Sequence, residues 1–196
     1  MKQKSGNAHR HGKLTSAQLS AKTWPDFERL FAANGGVWGG CWCMFYHKPS
    51  DFDASAYLEN KEAKRALVAK GEAHGIIAYC GGDPAGWCQF GPREELPRID
   101  AKRSYVPTSI DLWRVTCLFI APHHRNLGLA GFAVREAVKA MKKLNVKTVE
   151  AYPVEGERAA KDLWMGTPHL FEGVGFKRIR PLGKTTWVYA LELGRR

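Results

Sequence analysis

Long apolar runs are missing from this chain of 196 residues. None approaches the roughly 20 residues that a membrane helix needs, so no membrane partner is expected. The opening MKQKSGNAHRHGKLT is basic but has no apolar h-region, which argues against a secretory signal. Gly-x-Gly-x-x-Gly is absent, as is Gly-Lys-Ser/Thr, and with them go two common nucleotide-phosphate loops. Cys-x-x-Cys spacing is absent too. The five cysteines, an odd number among core-like residues, form no disulfide framework and point to a reducing, cytoplasmic setting. No internal repeat and no clear second domain are visible.

Acids are also scarce. Nineteen against 30 Lys and Arg leave a net charge of +11. Lys2, Lys4, Arg10 and Lys13 meet no acid in residues 1–13, and Arg195 and Arg196 end the chain; without these six the remainder carries about +5. A basic stretch with nothing apolar to bury is expected to be disordered, so 1–13 reads as a tail. The moderately basic body suits a polyanionic small ligand as well as nucleic acid. What is plentiful is apolar material, 44% of residues, enough to bury a core without disulfide or metal.

Trp24, Phe27, Leu30 and Phe31 recur at helical spacing behind Thr23, a fitting N-cap, with Pro25 in the first turn. The spacing predicts a helix over 24–34, closed by Asn34-Gly35-Gly36. The stretch 37–46, rich in Trp, Gly and Cys, has no period and reads as an irregular, partly buried wall. A second helix is predicted over 57–70, with Leu58, Ala66 and Leu67 inward. His74–Cys80, a Gly81-Gly82-Asp83-Pro84 turn and 85–90 read as a hairpin. Residues 93–110 form a charged connection. LWRVTCLFI at 112–120 has the length and composition of a strand buried on both faces. A helix over 129–143 and a strand over 147–152 complete a right-handed βαβ unit. A short helix near 167–173 and strands near 176–182 and 185–192 end the chain.

Between buried strand and helix lies Pro122-His123-His124-Arg125-Asn126-Leu127-Gly128-Leu129-Ala130-Gly131. Such a turn aims several backbone N–H groups at one spot, reinforced by the positive end of the helix, and so suits a pyrophosphate. Gly128 permits close approach, and small Ala130 keeps the first helical turn open. Taken alone, the Arg-x-x-Gly-x-Ala string also fits an ordinary strand-to-helix turn.

In context, residues 112–152 resemble the core of the GNAT (Gcn5-related N-acetyltransferase) family, with the Arg-x-x-Gly-x-Ala signature at Arg125–Ala130. GTPHLFEGVGF at 166–176 is similar to the family's later segment, and the hairpin at 74–90 fits its antiparallel strands. The resemblance covers roughly 74–192 and implies an α/β (α+β) GNAT fold: a mixed central sheet of about six or seven strands, flanked by helices and splayed between its two central parallel strands. It further implies one N-acetyltransferase domain over 14–196, with acetyl-CoA as co-substrate and no metal. The acceptor would be a small-molecule or peptide amine, attacked directly at nitrogen; a homodimer is compatible with the sequence.

By the same resemblance, backbone groups of Leu118, Phe119 and Ile120 bind the pantetheine arm. Asn126, Leu127, Gly128, Leu129, Ala130 and Gly131 cradle the pyrophosphate, and Arg125 lines that loop. A backbone N–H near Leu118 would stabilise the oxyanion of acyl transfer. An alkylamine with a pKa near about 10.4 must lose a proton before it attacks. Tyr152 matches the family's catalytic glutamate better by position, and Glu150 is chemically the better base; both are equally readable as strand residues without a role. Phe171 stands where the family often carries a tyrosine acid, so thiolate protonation is left to Tyr152, to water or to no group. His123 and His124 read as phosphate-side or surface residues.

Cys41-Trp42-Cys43 with His47 is the nearest approach to a metal cluster, but without paired spacing these read as buried residues, as does Cys117. Trp38, Trp42, Phe45 and Tyr46 could line the acceptor side, where an aromatic box would favour a hydrophobic or cationic amine, or they could simply be core. Two other classes stay open. One is a non-catalytic acyl-CoA-binding regulator, which the missing acid at Phe171 would suit. The other is a basic nucleic-acid-binding module, although no basic recognition helix or zinc motif appears and no specific nucleic acid is expected.

Overall fold

The computed structural model describes residues 12–156 and 163–194. Residues 1–11 of the basic tail, 157–162 and 195–196 lie outside the described residues. In chain order the elements are β1 (Leu14–Gln18), α1 (Trp24–Ala32), α2 (Tyr57–Lys70), β2 (His74–Cys80), β3 (Asp83–Pro92), β4 (Leu112–Ile120), α3 (Leu129–Lys143), β5 (Thr148–Ala151), α4 (Pro168–Glu172), β6 (Lys177–Pro181) and β7 (Trp187–Glu192). The strands make one mixed sheet in the order β1-β2-β3-β4-β5-β7-β6. All pairs are antiparallel except β4 with β5.

Hydrophobic pattern accounts for most of this. The nine-residue run of β4 sits at the sheet's centre, and α3 turns Ala133, Val134, Ala137, Val138 and Met141 inward at helical spacing. α3 and α4 cover one face of the sheet over Val115, Leu118 and Val149. α1 and the 37–46 segment cover the other over Trp87, Cys117 and Phe119. Each of Trp24, Phe27, Leu30 and Phe31 is buried, worth about 1.5–3 kcal/mol apiece. Thr23 is the N-cap of α1, but its hydroxyl points back and donates to the Gln18 carbonyl at 2.7 Å. Strand β1 carries no strand signature in LTSAQ. It adds at the edge by antiparallel pairing, Leu14 opposite Cys80, and Lys13 accepts a hydrogen bond from the Gly81 amide just before it.

The inner face of α2 differs from the expected one. Leu58 is 66% exposed and Ala66 also faces solvent, while Leu67 is partly buried against the core. Asn60, Lys64 and Val68, successive at one-turn spacing, are buried instead. Beneath Asn60 and Lys64 lie carbonyls and an imidazole, while Leu67 and Val68 reach the apolar core. Asn60 Nδ2 donates to the Gly40 and Asp53 carbonyls at 3.0 and 2.9 Å, and Lys64 Nζ donates to His47 Nε2 at 2.9 Å.

The 37–46 wall is wound tightly. Val37, Trp38, Trp42 and Cys43 have φ of 59°, 50°, 47° and 53°, a left-handed conformation costing about 1–2 kcal/mol per non-glycine residue. Burial of Val37, Trp42 and Cys43 holds it, with Trp42 stacked on Phe31 at 5.7 Å between centroids.

Burial pushes the Lys64 amine down from 10.5 to about 8, and burial with the adjacent Lys64 charge pushes His47 from 6.5 to about 2. Between pH 8 and 10.5 the unfolded chain therefore binds more protons at Lys64 than the native one, so the Lys64 contribution to stability rises with pH across that window, against the loss from buried thiols whose pKa values are raised. Below pH 6.5 unfolded His47 takes up a proton that the folded ring refuses, so stability falls with acid. Lys64→Met should remove that contribution, so its stability relative to wild type falls by about 3 kcal/mol between pH 8 and 10.5, and it should be at least as stable as wild type at pH 7. Urea unfolding across pH measures both, and an unchanged alkaline slope in the variant would refute the account.

Candidate active site

The parallel strands β4 and β5 pair only from Leu112↔Thr148 to Val115↔Ala151. Two residues on, Pro153 has no N–H to offer, and its carbonyl accepts from Trp187 on the far side. Among the described residues, 116–120 of β4 therefore have no strand beside them on that edge. On the opposite edge they stay paired to β3, with an irregularity between Gln89 and Phe90. The Ala121 amide donates to the Ala85 carbonyl. By antiparallel alternation, Phe119 then also points its main-chain groups at β3, whereas Leu118 and Ile120 point theirs into the opening. The expected trio thus divides: two face the gap and Phe119 does not.

At the end of β4 a 3-10 turn over Pro122–His124 leads into α3. Asn126 and Gly128 are both left-handed, with φ of 62° and 76°. Asparagine tolerates this conformation, and glycine is unstrained in it. The turn and the first turn of α3 leave the amides of 126–131 without a main-chain acceptor among the described residues. Gly128 is exposed, with open space where a Cβ would stand. Leu129 is buried as an anchor, and Arg125 Nε donates to the Ile120 carbonyl at 3.3 Å. This open cradle, with its positive helix end and lack of acids, fits a diphosphate. His123 is exposed beside it. His124 is half-buried, and its Nδ1 has no partner.

Beneath the opening lies a polar network that the sequence reading missed. Arg114 of β4 is fully buried and opposite Glu150 of β5. It grips Asp100 with two nitrogens, at 2.7 and 3.0 Å, donates to the Leu96 carbonyl at 2.6 Å, and donates Nε–H to Tyr152 Oη at 2.9 Å. Tyr152 donates to Glu150 Oε2 at 2.8 Å; Tyr105 donates to the same oxygen at 2.7 Å, and the Thr108 amide to Oε1 at 2.7 Å. Glu150 and Tyr152 are brought together in one buried chain. Burial pushes the Tyr152 phenol well above its usual range. Partial burial works against the Asp100 carboxylate, but bonds from Arg114 and Arg93 outweigh it and hold its pKa down. The available signal was an arginine inside a nine-residue apolar strand, which needs a buried partner.

The four aromatics predicted for the acceptor side are dispersed. Phe45 and Tyr46 line a cavity of about 410 Å³, with Val154, Trp164 and Met165 on its wall. Tyr46 donates to Met165 Sδ, and the turn Leu163–Met165 packs against β4. Trp42 is sealed in the core, and Trp38 is 45% exposed, edge-on to Trp164. Cys43 Sγ lies 3.1 Å from Cys117 Sγ, both buried, and burial raises the Cys43 thiol pKa. His47 is engaged by Lys64 and Gln89, and no group of three metal-ligating side chains occurs among the described residues. In α4, Phe171 is buried against Phe176 and has no proton to donate.

The sequence model of the Acetyltransferase (GNAT) family matches residues 38–166. No curated protein matches the chain by sequence. Solved structures share the fold at low identity. An N-acetyltransferase from Staphylococcus aureus Mu50 gives a TM-score of 0.55 at 11% identity, over 93% of this chain and 99% of that one. Arabidopsis thaliana NAA60 in complex with acetyl-CoA gives 0.52 at 14%, over 92% and 99%. An acetyltransferase of GNAT family from Streptococcus pneumoniae gives 0.53 at 12%, over 92% and 99%.

Removing Arg114 leaves buried Tyr152 without its donor, takes the cation from beside buried Glu150 and leaves half-buried Asp100 with Arg93 alone. Arg114→Gln is expected to cost about 3–5 kcal/mol, while Arg93→Gln, which leaves the two-nitrogen grip intact, costs under about 1 kcal/mol. Equilibrium urea unfolding compares the two; equal losses would contradict this ranking.

Proposed function

This chain belongs to the GNAT acetyltransferase family, and we propose that it transfers an acetyl group from acetyl-CoA to a primary amine by direct attack of the amine nitrogen. The observation that carries this reading is the unpaired edge of β4 at 116–120, continuous with the amide cradle around Gly128. Acetyl-CoA supplies an acyl group activated as a thioester. The amides of 126–131, with Arg125 at their edge, hold the diphosphate. The main-chain groups of Leu118 and Ile120 pair with the peptide-like arm as a neighbouring strand would. The Leu118 N–H donates to the oxygen on which negative charge develops.

The acceptor must lose a proton. The buried phenol of Tyr152 is too weak an acid to act as a standing phenolate, so it works as a relay. Its oxygen takes the amine proton while its own proton passes to Glu150, which ends as a carboxylic acid. Arg114 Nε–H keeps the phenol oriented. α4 offers no hydroxyl at Phe171, so the thiolate takes its proton from water. That same lack favours a second reading, an acyl-CoA sensor without turnover. The buried thiols among the described residues suit a reducing compartment, and the proposed location is the cytoplasm; no helix among the described residues is long and apolar enough to cross a membrane.

Gly128→Val puts a branched side chain at φ 76° in front of the cradle, and acetyl-CoA affinity should fall at least about tenfold by calorimetry. Tyr152→Phe and Glu150→Gln should each lower kcat by about 10²–10³ and leave acetyl-CoA affinity unchanged. Free-thiol release with a broad amine panel measures this. Tight acetyl-CoA binding without turnover on any amine would select the sensor, and wild-type rates in both variants would remove the relay.

A further inference from the structure

Resting on that reading of the acceptor side, we propose that the acceptor amine also carries an anionic group, a carboxylate or a phosphate, bound by Arg98 and Lys102. Both line the 410 Å³ cavity with Phe45 and Trp164, and no carboxylate does so among the described residues. The Arg98 guanidinium carbon lies over Phe45, 3.8 Å from the ring centroid, and its Nη1–H donates to the Lys48 carbonyl at 3.2 Å. Neither cation has an ion-pair partner among the described residues. The acid between them in sequence, Asp100, is turned away from the cavity and held by Arg114 and Arg93.

An arginine pre-oriented by an aromatic face and free of competing acids is built for a planar or tetrahedral oxyanion. Thr185 and Thr186 on the same wall add hydroxyls of the kind an anion accepts from. The aromatic sides suit an apolar spacer; Val154 and Met165 of the wall belong to the same core cluster as Tyr152, and the turn that carries Met165 packs on β4. The sequence pattern suggested a box for a hydrophobic or cationic amine, but two uncompensated cations repel the second kind. They also disfavour the ammonium form of whatever amine enters, which assists its deprotonation.

The test uses matched amines: an (aminomethyl)benzoate against its carboxamide, and an aminoalkyl phosphate against the corresponding alcohol, with an alkyl diamine as the cationic arm. Thiol release gives kcat/KM for wild type, Arg98→Gln, Arg98→Lys and Lys102→Gln, and calorimetry gives binding of each amine to the full chain. Expected is an advantage of at least about tenfold for one anionic amine over its neutral partner, carried by KM. Arg98→Gln should remove most of it, and Arg98→Lys should restore part. The carboxylate and phosphate arms decide which anion is preferred. Equal or better use of the neutral or dicationic amines by wild type, or an anionic advantage that survives Arg98→Gln and Lys102→Gln together, would overturn the proposal. If no amine turns over, the transfer reading fails by itself; the present proposal then stands if an anionic amine binds in an Arg98-dependent way and falls if none binds.

Discussion

The structure turns on the point at which two parallel strands stop sharing hydrogen bonds. β4 and β5 hold together for four residue pairs and then separate, one continuing along β3 and the other diverted at Pro153 toward β7. A sheet ordinarily hides its main-chain groups; here the central strand leaves some unused. The same divergence comes just past the Arg114–Tyr152–Glu150 chain, and β4 runs on from it into the turn that opens α3. One interrupted ladder therefore creates the main-chain edge, the cradle and the buried polar chain together.

Below the separation, the paired part of β4 and β5 is stiffened by charge. Arg114 and Glu150 sit opposite each other but do not bond directly. Tyr152 stands between them, and Asp100 and Tyr105 satisfy the remaining capacity. Such a fully partnered set fixes geometry more than it adds stability, since each charge has given up water to be there. Lys64 lacks that compensation. Its ammonium meets a neutral imidazole and the Trp87 ring, not an acid, so α2 docks with a penalty that its neighbours must offset.

The sequence announces what short-range periodicity encodes. The apolar run of β4, the inward stripe of α3 and the turn between them are read within a few residues of their observed limits, because each follows from neighbours three or four positions away. The hairpin of β2 and β3 is legible from Gly81-Gly82. β1 was invisible because a polar edge strand gains its place from pairing alone. The inner face of α2 was misread because the burial of Lys64 depends on His47, seventeen residues earlier. The cavity draws on residues near 45, 98–102, 154, 164 and 185, a convergence no local pattern reports. Arg114 is the intermediate case: its oddity within an apolar strand is visible, but its partners in the 93–110 connection are not.

The wall at 37–46 keeps four non-glycine residues in a conformation they would leave if released. A strained segment that has turn hydrogen bonds of its own but leans on the core beneath it should be late to assemble on the folding pathway and early to loosen on warming. On the proposed function, with Phe45 and Tyr46 at the end of this wall facing the acceptor, discrimination among acceptors would then decay at temperatures where the sheet and the turn before α3 are still intact. On that reading, heat would turn a selective catalyst into a promiscuous one before it destroyed it.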